Sequence, residues 1–239
     1  MSRPAFYALA PGGWRDYVTL LHLPYTAWHL SYVAIGAALA PEPAGTRLLA
    51  ALAAFFLALG IGAHALDELN GRPLKTRISD RMLIALAAAS IGGAVAIGVA
   101  AAVTWTLWLL AFVGAGGFLV LAYNLELFGG FFHTDLWFGI AWGAFPLLTG
   151  YFVVAEETAL VAVLGAFFAL LTSLAQRKLS TQVRMVRRRV DAVAGSLSMA
   201  DGTHEEITIN TLIGSSEAAL RLLAAAMVSL AATLLVLRF

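Results

Sequence analysis

Residues 82–103 read MLIALAAASIGGAVAIGVAAAV, twenty-two consecutive positions without a charged side chain. A helix of about 20 apolar residues spans the ~30 Å hydrocarbon core of a bilayer. The run is continuous rather than alternating, which excludes a barrel strand. Working outward from it, six further runs of the same kind fall at 20–40, 48–69, 105–127, 136–155, 159–176 and 216–237. Pro41 and Pro43 close the first, Gly71 and Pro73 the second, and Gly129 and Gly130 part the fourth from the fifth. Short connections make neighbouring helices antiparallel. The composition agrees: 61% of the 239 residues are hydrophobic and 12% charged, against about half and a quarter in soluble domains. The fold class expected is therefore all-α, a polytopic membrane helical bundle of about seven transmembrane helices, with residues 1–239 forming a single membrane domain.

Orientation follows from Lys and Arg, which favour the cytoplasmic side. With the N-terminus inside, thirteen of the fifteen fall on the inner side: Arg3, Arg15, Arg72, Lys75, Arg77, Arg81, Arg177, Lys178, Arg184, Arg187, Arg188, Arg189 and Arg221. Only Arg47 and Arg238 fall outside. The expectation is an integral protein of a bacterial or archaeal cell membrane, with a cytoplasmic N-terminus and the C-terminus outside. Residues 1–14 hold no apolar run long enough for a cleavable signal peptide, so insertion is expected to use the first span. The net charge of +1 predicts no nucleic-acid partner. Cysteine is absent, which removes disulfides and thiolate metal sites.

Gly139 and Gly143 form a GxxxG pair, which lets helices approach closely in lipid. It suits either a dimer face, giving a homo-oligomer, or internal packing, the plainer expectation. The segment 177–214 differs from the rest. Its first part, to Val193, is basic with Leu179, Val183, Val186 and Val190 at amphipathic spacing, which suits a helix on the cytoplasmic membrane surface. Asp201-Gly202 between alternating runs then signals a β-hairpin, with a loose loop as the alternative.

Ionisable groups within or beside spans mark candidate sites. The richest cluster closes the second span: His64, Asp67 and Glu68, then Asn70, Arg72, Lys75 and Arg77. His64 lies three and four residues before the two acids, so the three share a helix face. Carboxylates there suit a divalent cation, and Arg72, Lys75 and Arg77 suit phosphate oxygens. Together they suit a phosphate ester whose lipid tail stays in the membrane. Solvated charges at an ordinary helix end are the bland alternative. A second group, Tyr123, Asn124, Glu126, His133 and Asp135, falls on the same side. Asp135 also suits a helix N-terminus as a cap. His22 and His29, seven residues apart, share one face of the first helix. These histidines with His64 and the acids make a transition-metal site conceivable, although hydrogen-bonded core histidines are the plainer reading. No GxxxxGK[ST], HExxH or nucleophile-elbow motif is present.

Three stretches carry a resemblance: Ala63-His64-Ala65-Leu66-Asp67-Glu68 with Arg72-Pro73-Leu74-Lys75-Thr76-Arg77-Ile78-Ser79; Tyr123-Asn124-Leu125; and Gly139-Ile140-Ala141-Trp142-Gly143-Ala144-Phe145-Pro146. Across roughly residues 20–180 the chain resembles the UbiA superfamily of intramembrane prenyltransferases. The resemblance implies a helical bundle around a cavity open to lipid. It also implies a prenyl diphosphate held through Mg²⁺ by two aspartate-rich motifs, and alkylation of an acceptor. Asp67 matches the central aspartate of the first motif, whose other positions fall on Ala63, His64 and Gly71. The second motif is absent, since residues 173–178 read SLAQRK. The family has nine spans, more than this chain holds. The expected site is therefore Asp67 and Glu68 on a divalent metal, with His64 as a further ligand or hydrogen-bond partner. Arg72, Lys75, Arg77, Tyr123, Asn124, Arg177 and Lys178 are placed on the phosphate, with His29, Glu126, His133 and Asp135 as supporting or alternative ligands. The function implied is a divergent transferase acting on an isoprenoid phosphate or diphosphate at the cytoplasmic membrane face. A UbiA-like terpene cyclase, or a non-catalytic lipid-binding or assembly protein, is the alternative.

Overall fold

The computed structural model of the chain describes residues 3–239. After a short helix α1 (Trp14–Leu20), the bundle consists of α2 (Leu23–Leu39), α3 (Gly45–Leu69), α4 (Asp80–Thr104), α5 (Leu109–Asn124), α6 (Asp135–Ala155), α7 (Leu160–Arg189) and α8 (Ile209–Arg238). Five of these, α3, α4, α6, α7 and α8, are long and apolar enough to cross a membrane. The other two, α2 with 17 residues and α5 with 16, are shorter. The protein is thus mainly helical, and its five long apolar helices mark an integral membrane protein.

Helix α2 is the hub, packed mainly on α6 and α8, while α7 covers α6 and α8 from outside. The apolar stretch of α6 is 67% buried and that of α4 only 17%, so α6 lies inside the bundle and α4 presents most of its surface to lipid. The approach of α2 to α6 is set by two glycines. A Cβ on Gly36 would sit 2.1 Å from the Leu147 carbonyl oxygen, and one on Gly150 2.2 Å from that of Val33. Gly143 of the GxxxG pair meets the Ala169 carbonyl of α7 in the same way, at 2.4 Å, and Gly139 meets the Leu170 side chain. Both glycines of that motif are therefore engaged within the chain. Polar atoms in this core find partners, as lipid requires: Trp28 donates to the Tyr32 hydroxyl at 2.5 Å, and Ser173 donates to the same oxygen at 3.2 Å.

The segment 177–193 departs from expectation. It is not a separate surface helix but the continuation of the preceding span, one helix of 30 residues ending at Arg189. No glycine or proline stands between Gly165 and Gly195 to stop it. The chain turns extended only at Val190. Strands β1 (Ser196–Ser198) and β2 (His204–Glu206) then pair antiparallel around Asp201-Gly202, where Gly202 takes a φ of 85°. The last helix begins at Ile209, seven residues before the expected 216, because Thr208 and Thr211 form a reciprocal cap there.

Two helices contain wide π turns, Phe56–Ala63 in α3 and Ile140–Ala144 in α6. Such turns often mark functional positions. Here they immediately precede His64 and enclose Trp142, both of which line a polar cavity at one end of the bundle.

Candidate functional site

At the end of the bundle where α2 starts and α3 finishes, a cavity of about 390 Å³ is lined by polar side chains. Three of its walls come from distant parts of the sequence. From α3 come His64 and Asp67, with Asn70 just beyond it. From α2 and the N-terminal segment come Tyr7, His22, Tyr25 and His29. The stretch around 123–133 contributes Tyr123, Asn124, Glu126 and His133. The remaining wall is α7, with Gln176, Arg177, Ser180, Arg184, Arg188 and Arg189. Arg177, Ser180, Arg184 and Arg188 recur at intervals of three and four, so an unbroken helix carries them as one stripe.

The structure divides the residues that the sequence reading joined. His64, Asp67, Tyr123, Asn124, Arg177, His29, Glu126 and His133 do meet around this cavity. Glu68, Arg72, Lys75, Arg77, Lys178 and Asp135 are not among its lining residues. Glu68 is completely buried, and its carboxylate accepts from the backbone N–H groups of Leu74 and Thr76 and from the Thr76 hydroxyl, each at 2.8 Å. It organises the loop after α3 instead of facing a ligand. That loop alternates: Leu74, Thr76 and Ile78 are buried, while Lys75 and Arg77 are exposed. Arg72 and Lys75 both take positive φ, 54° and 56°, around a turn closed by Lys75 N–H to the Arg72 carbonyl. Non-glycine residues rarely adopt that backbone, and the Glu68 bonds on either side of Lys75 hold it there. Arg72 turns away to pair with Asp80 and to donate to the Ile78 carbonyl at 2.5 Å. A second buried carboxylate, Asp16, accepts from Arg77 N–H and Gly12 N–H at 2.9 Å and ties the same loop to the N-terminal segment.

Asp135 is not the cap of α6. Thr134 holds that position and accepts from Trp137 N–H, while Asp135 pairs with Arg177 at 3.1 Å and Lys178 at 2.9 Å. Lys178 is thereby turned outward and Arg177 anchored at the cavity edge, its guanidinium 5.4 Å from the Phe138 ring centre. Arg184 has a looser hold, donating to Thr181 of its own helix at 3.1 Å. Arg188 donates to the Pro4 carbonyl at 3.5 Å. Asp67 accepts no hydrogen bond from any described residue, and none of the cations pairs with it.

The histidines are fixed through one ring nitrogen. Nδ1 of His29 lies 2.7 Å from the Trp142 carbonyl, that of His64 3.1 Å from the Gly60 carbonyl, and that of His133 2.9 Å from the Tyr123 carbonyl. His22 stacks on His64 with ring centres 4.0 Å apart, and its Nδ1 is 3.0 Å from the Tyr7 hydroxyl. Burial holds the Tyr7 phenol above its usual range, so it stays protonated. Among buried atoms, His22 Nε2, Tyr123 Oη and Gln176 Oε1 have no partner among the described residues. A buried polar atom without a partner costs about 1–3 kcal/mol.

The donor set does not fit Mg²⁺. That ion takes oxygen ligands in octahedral array, whereas the two carboxylates lining the cavity, Asp67 and Glu126, stand among imidazoles and guanidiniums. Glu126 accepts from the Asn70 amide at 3.5 Å, and Glu68 is fully engaged by its loop. Among the described residues no group of three His, Asp or Glu side chains is arranged to hold a metal ion. What the cavity does hold is a set of cations able to meet phosphate oxygens directly.

A second, apolar cavity of about 120 Å³ runs between α3, α4, α5 and α6, lined by residues such as Phe55, Leu59, Ile91, Val113 and Phe145. Trp142 lines both cavities. Tyr7, Tyr25, Gln176, Arg184 and Arg188 were not among the expected site residues, and His22 entered only in a conceivable transition-metal site with His29 and His64. The arginine stripe was readable from its spacing once the helix is continued past Arg177. The N-terminal wall had no such signal, since its approach is purely tertiary. Comparison with family models, curated proteins and solved structures finds no match for this chain.

Proposed function

We propose that the polar cavity binds the phosphate or diphosphate head of an isoprenoid lipid and that the protein is a divergent transferase of its prenyl group. The observation that carries this reading is the stripe of Arg177, Arg184 and Arg188 facing Asp67 and His64 across a cavity whose neighbour is apolar. Guanidiniums bind phosphate oxygens in bidentate fashion and need no metal to balance the charge. The tail lies in the apolar cavity beyond Trp142. On transfer, the C–O bond to the diphosphate breaks with its electron pair leaving on the arginine-held oxygen. The prenyl carbon bonds to the acceptor, and the acceptor's proton goes to Asp67 or to His64. A lipid-phosphate-binding protein without turnover is the second reading, favoured by residues 173–178, SLAQRK, which offer no carboxylate where the resemblance expects the second aspartate-rich motif.

Asp67 separates these cases. In detergent solution, binding of farnesyl diphosphate should persist in excess EDTA. Asp67→Asn should leave that affinity within about threefold, while prenyl transfer to an added acceptor is lost. Binding that vanishes with EDTA and with Asp67→Asn alike would replace the arginine-based reading by a metal-based one.

The orientation proposed is cavity end in the cytoplasm, with seven spans once α2 and α5 are counted. Its support is that Arg47 and Arg238 sit at the opposite end, on Glu156 and on the Ala40 and Pro41 carbonyls. Reporter fusions should read inside at Lys75 and outside at Glu157. The reverse pattern rejects this topology.

A further inference from the structure

Three histidines opposite the arginines turn a hydrogen-bond acceptor toward the cavity, a fourth acceptor, Gln176 Oε1, stands on the arginine helix, and a fully ionised phosphate can donate to none of them. A carbonyl oxygen only accepts, so Nδ1 of His29, His64 and His133 must each carry the proton. In the neutral ring, Nε2 is then a lone pair. None of these three Nε2 atoms has a partner among the described residues. Gln176 Oε1, an acceptor, is buried without a partner, and the buried Tyr123 hydroxyl, which can donate or accept, also lacks one. Gln176 is 2% exposed and lines the cavity. Backbone carbonyls from α3, α6 and the end of α5 fix the three tautomers, so the pattern belongs to the fold and not to one side chain.

We infer that the second occupant of this cavity is a polyol, a molecule with several hydroxyl donors that pair with the imidazole Nε2 atoms and Gln176 Oε1 while a phosphate rests on the arginine stripe. This rests on, and deepens, the reading of the arginines as a phosphate site by naming the acceptor as polyhydroxylated. An aromatic acceptor with one hydroxyl would leave most of these atoms unpaired. Sites built to hydrogen-bond substrate hydroxyls discriminate strongly against analogues that lack them.

The test compares two phosphates of the same ring size, myo-inositol 1-phosphate and cyclohexyl phosphate, titrated calorimetrically into the full-length protein in detergent. The inositol phosphate should bind at least tenfold more tightly. Gln176→Leu and His133→Phe should each reduce that ratio severalfold while cyclohexyl phosphate affinity holds, which also shows that the variant cavity is intact. If Gln176→Leu does not fold, His133→Phe decides. Equal or tighter binding of cyclohexyl phosphate by the unaltered protein overturns the inference and leaves the arginine site standing. So does binding of farnesyl diphosphate alone with neither ring phosphate. Tight inositol phosphate binding with no affinity for farnesyl diphosphate keeps the inference and rejects the isoprenoid reading.

Discussion

Arg184→Gln is expected to weaken farnesyl diphosphate binding about 100-fold, equivalent to about 2.7 kcal/mol. Arg184 lies in the middle of the stripe, between Arg177 and Arg188, and no acid pairs with it among the described residues. Arg177 is already paired with Asp135, and Arg188 contacts the Pro4 carbonyl. Arg184 holds only a neutral Thr181 hydroxyl. Its cation is therefore available to a diphosphate from the centre of the stripe, in a setting shielded from bulk water where charge-assisted bonds are strong. Glutamine keeps hydrogen-bonding capacity and most of the length, so the loss reports charge and fork geometry. Lys75→Gln and Arg77→Gln serve as controls. Both side chains are exposed and stand outside the cavity, so their affinities should stay within about twofold. Titration of farnesyl diphosphate into detergent-solubilised protein measures all three. A larger loss at Lys75 or Arg77 than at Arg184 returns the phosphate to the loop after α3.

Glu68→Ala should produce the largest loss of stability of any single change near the site, about 3 kcal/mol or more. Three donors, two of them backbone N–H groups, converge on one fully buried carboxylate. Removing it leaves each donor unsatisfied, at about 1–3 kcal/mol apiece. It also frees the turn at Arg72 and Lys75 to leave its left-handed backbone conformation. Glu68→Gln retains one accepting oxygen and should recover part of the loss. Thermal unfolding in detergent, followed by loss of the folded monodisperse species, ranks the three proteins. A metal-binding role would show instead as a stable Glu68→Ala variant with altered cation affinity.

The two acids of residues 67–68 show how far the sequence reaches. It placed both at a helix end beside basic residues, and both are there. It could not tell which one faces the cavity, because adjacent helical residues point about 100° apart and the loop that captures Glu68 closes only in three dimensions. The basic residues divide for the same reason. Lys75 and Arg77 are near Asp67 in sequence, yet alternation along an extended loop turns them to solvent, while Arg184, more than a hundred residues away, lines the same cavity as Asp67.

Composition and periodicity carry everything that the sequence by itself determined. The long apolar runs, the breaks at Pro41, Gly71 and Gly129, the gathering of charge at one end and the turn at Asp201-Gly202 all depend on local chemistry. Local chemistry is written residue by residue. The polar cavity depends instead on which helices touch. Gly36 and Gly150 bring α2 against α6, and α7 continues without a break past Arg177. The N-terminal segment folds back so that Tyr7 meets His22. Those contacts arise from packing between elements far apart in the chain, so only the tertiary structure decided which histidines, arginines and acids share one space.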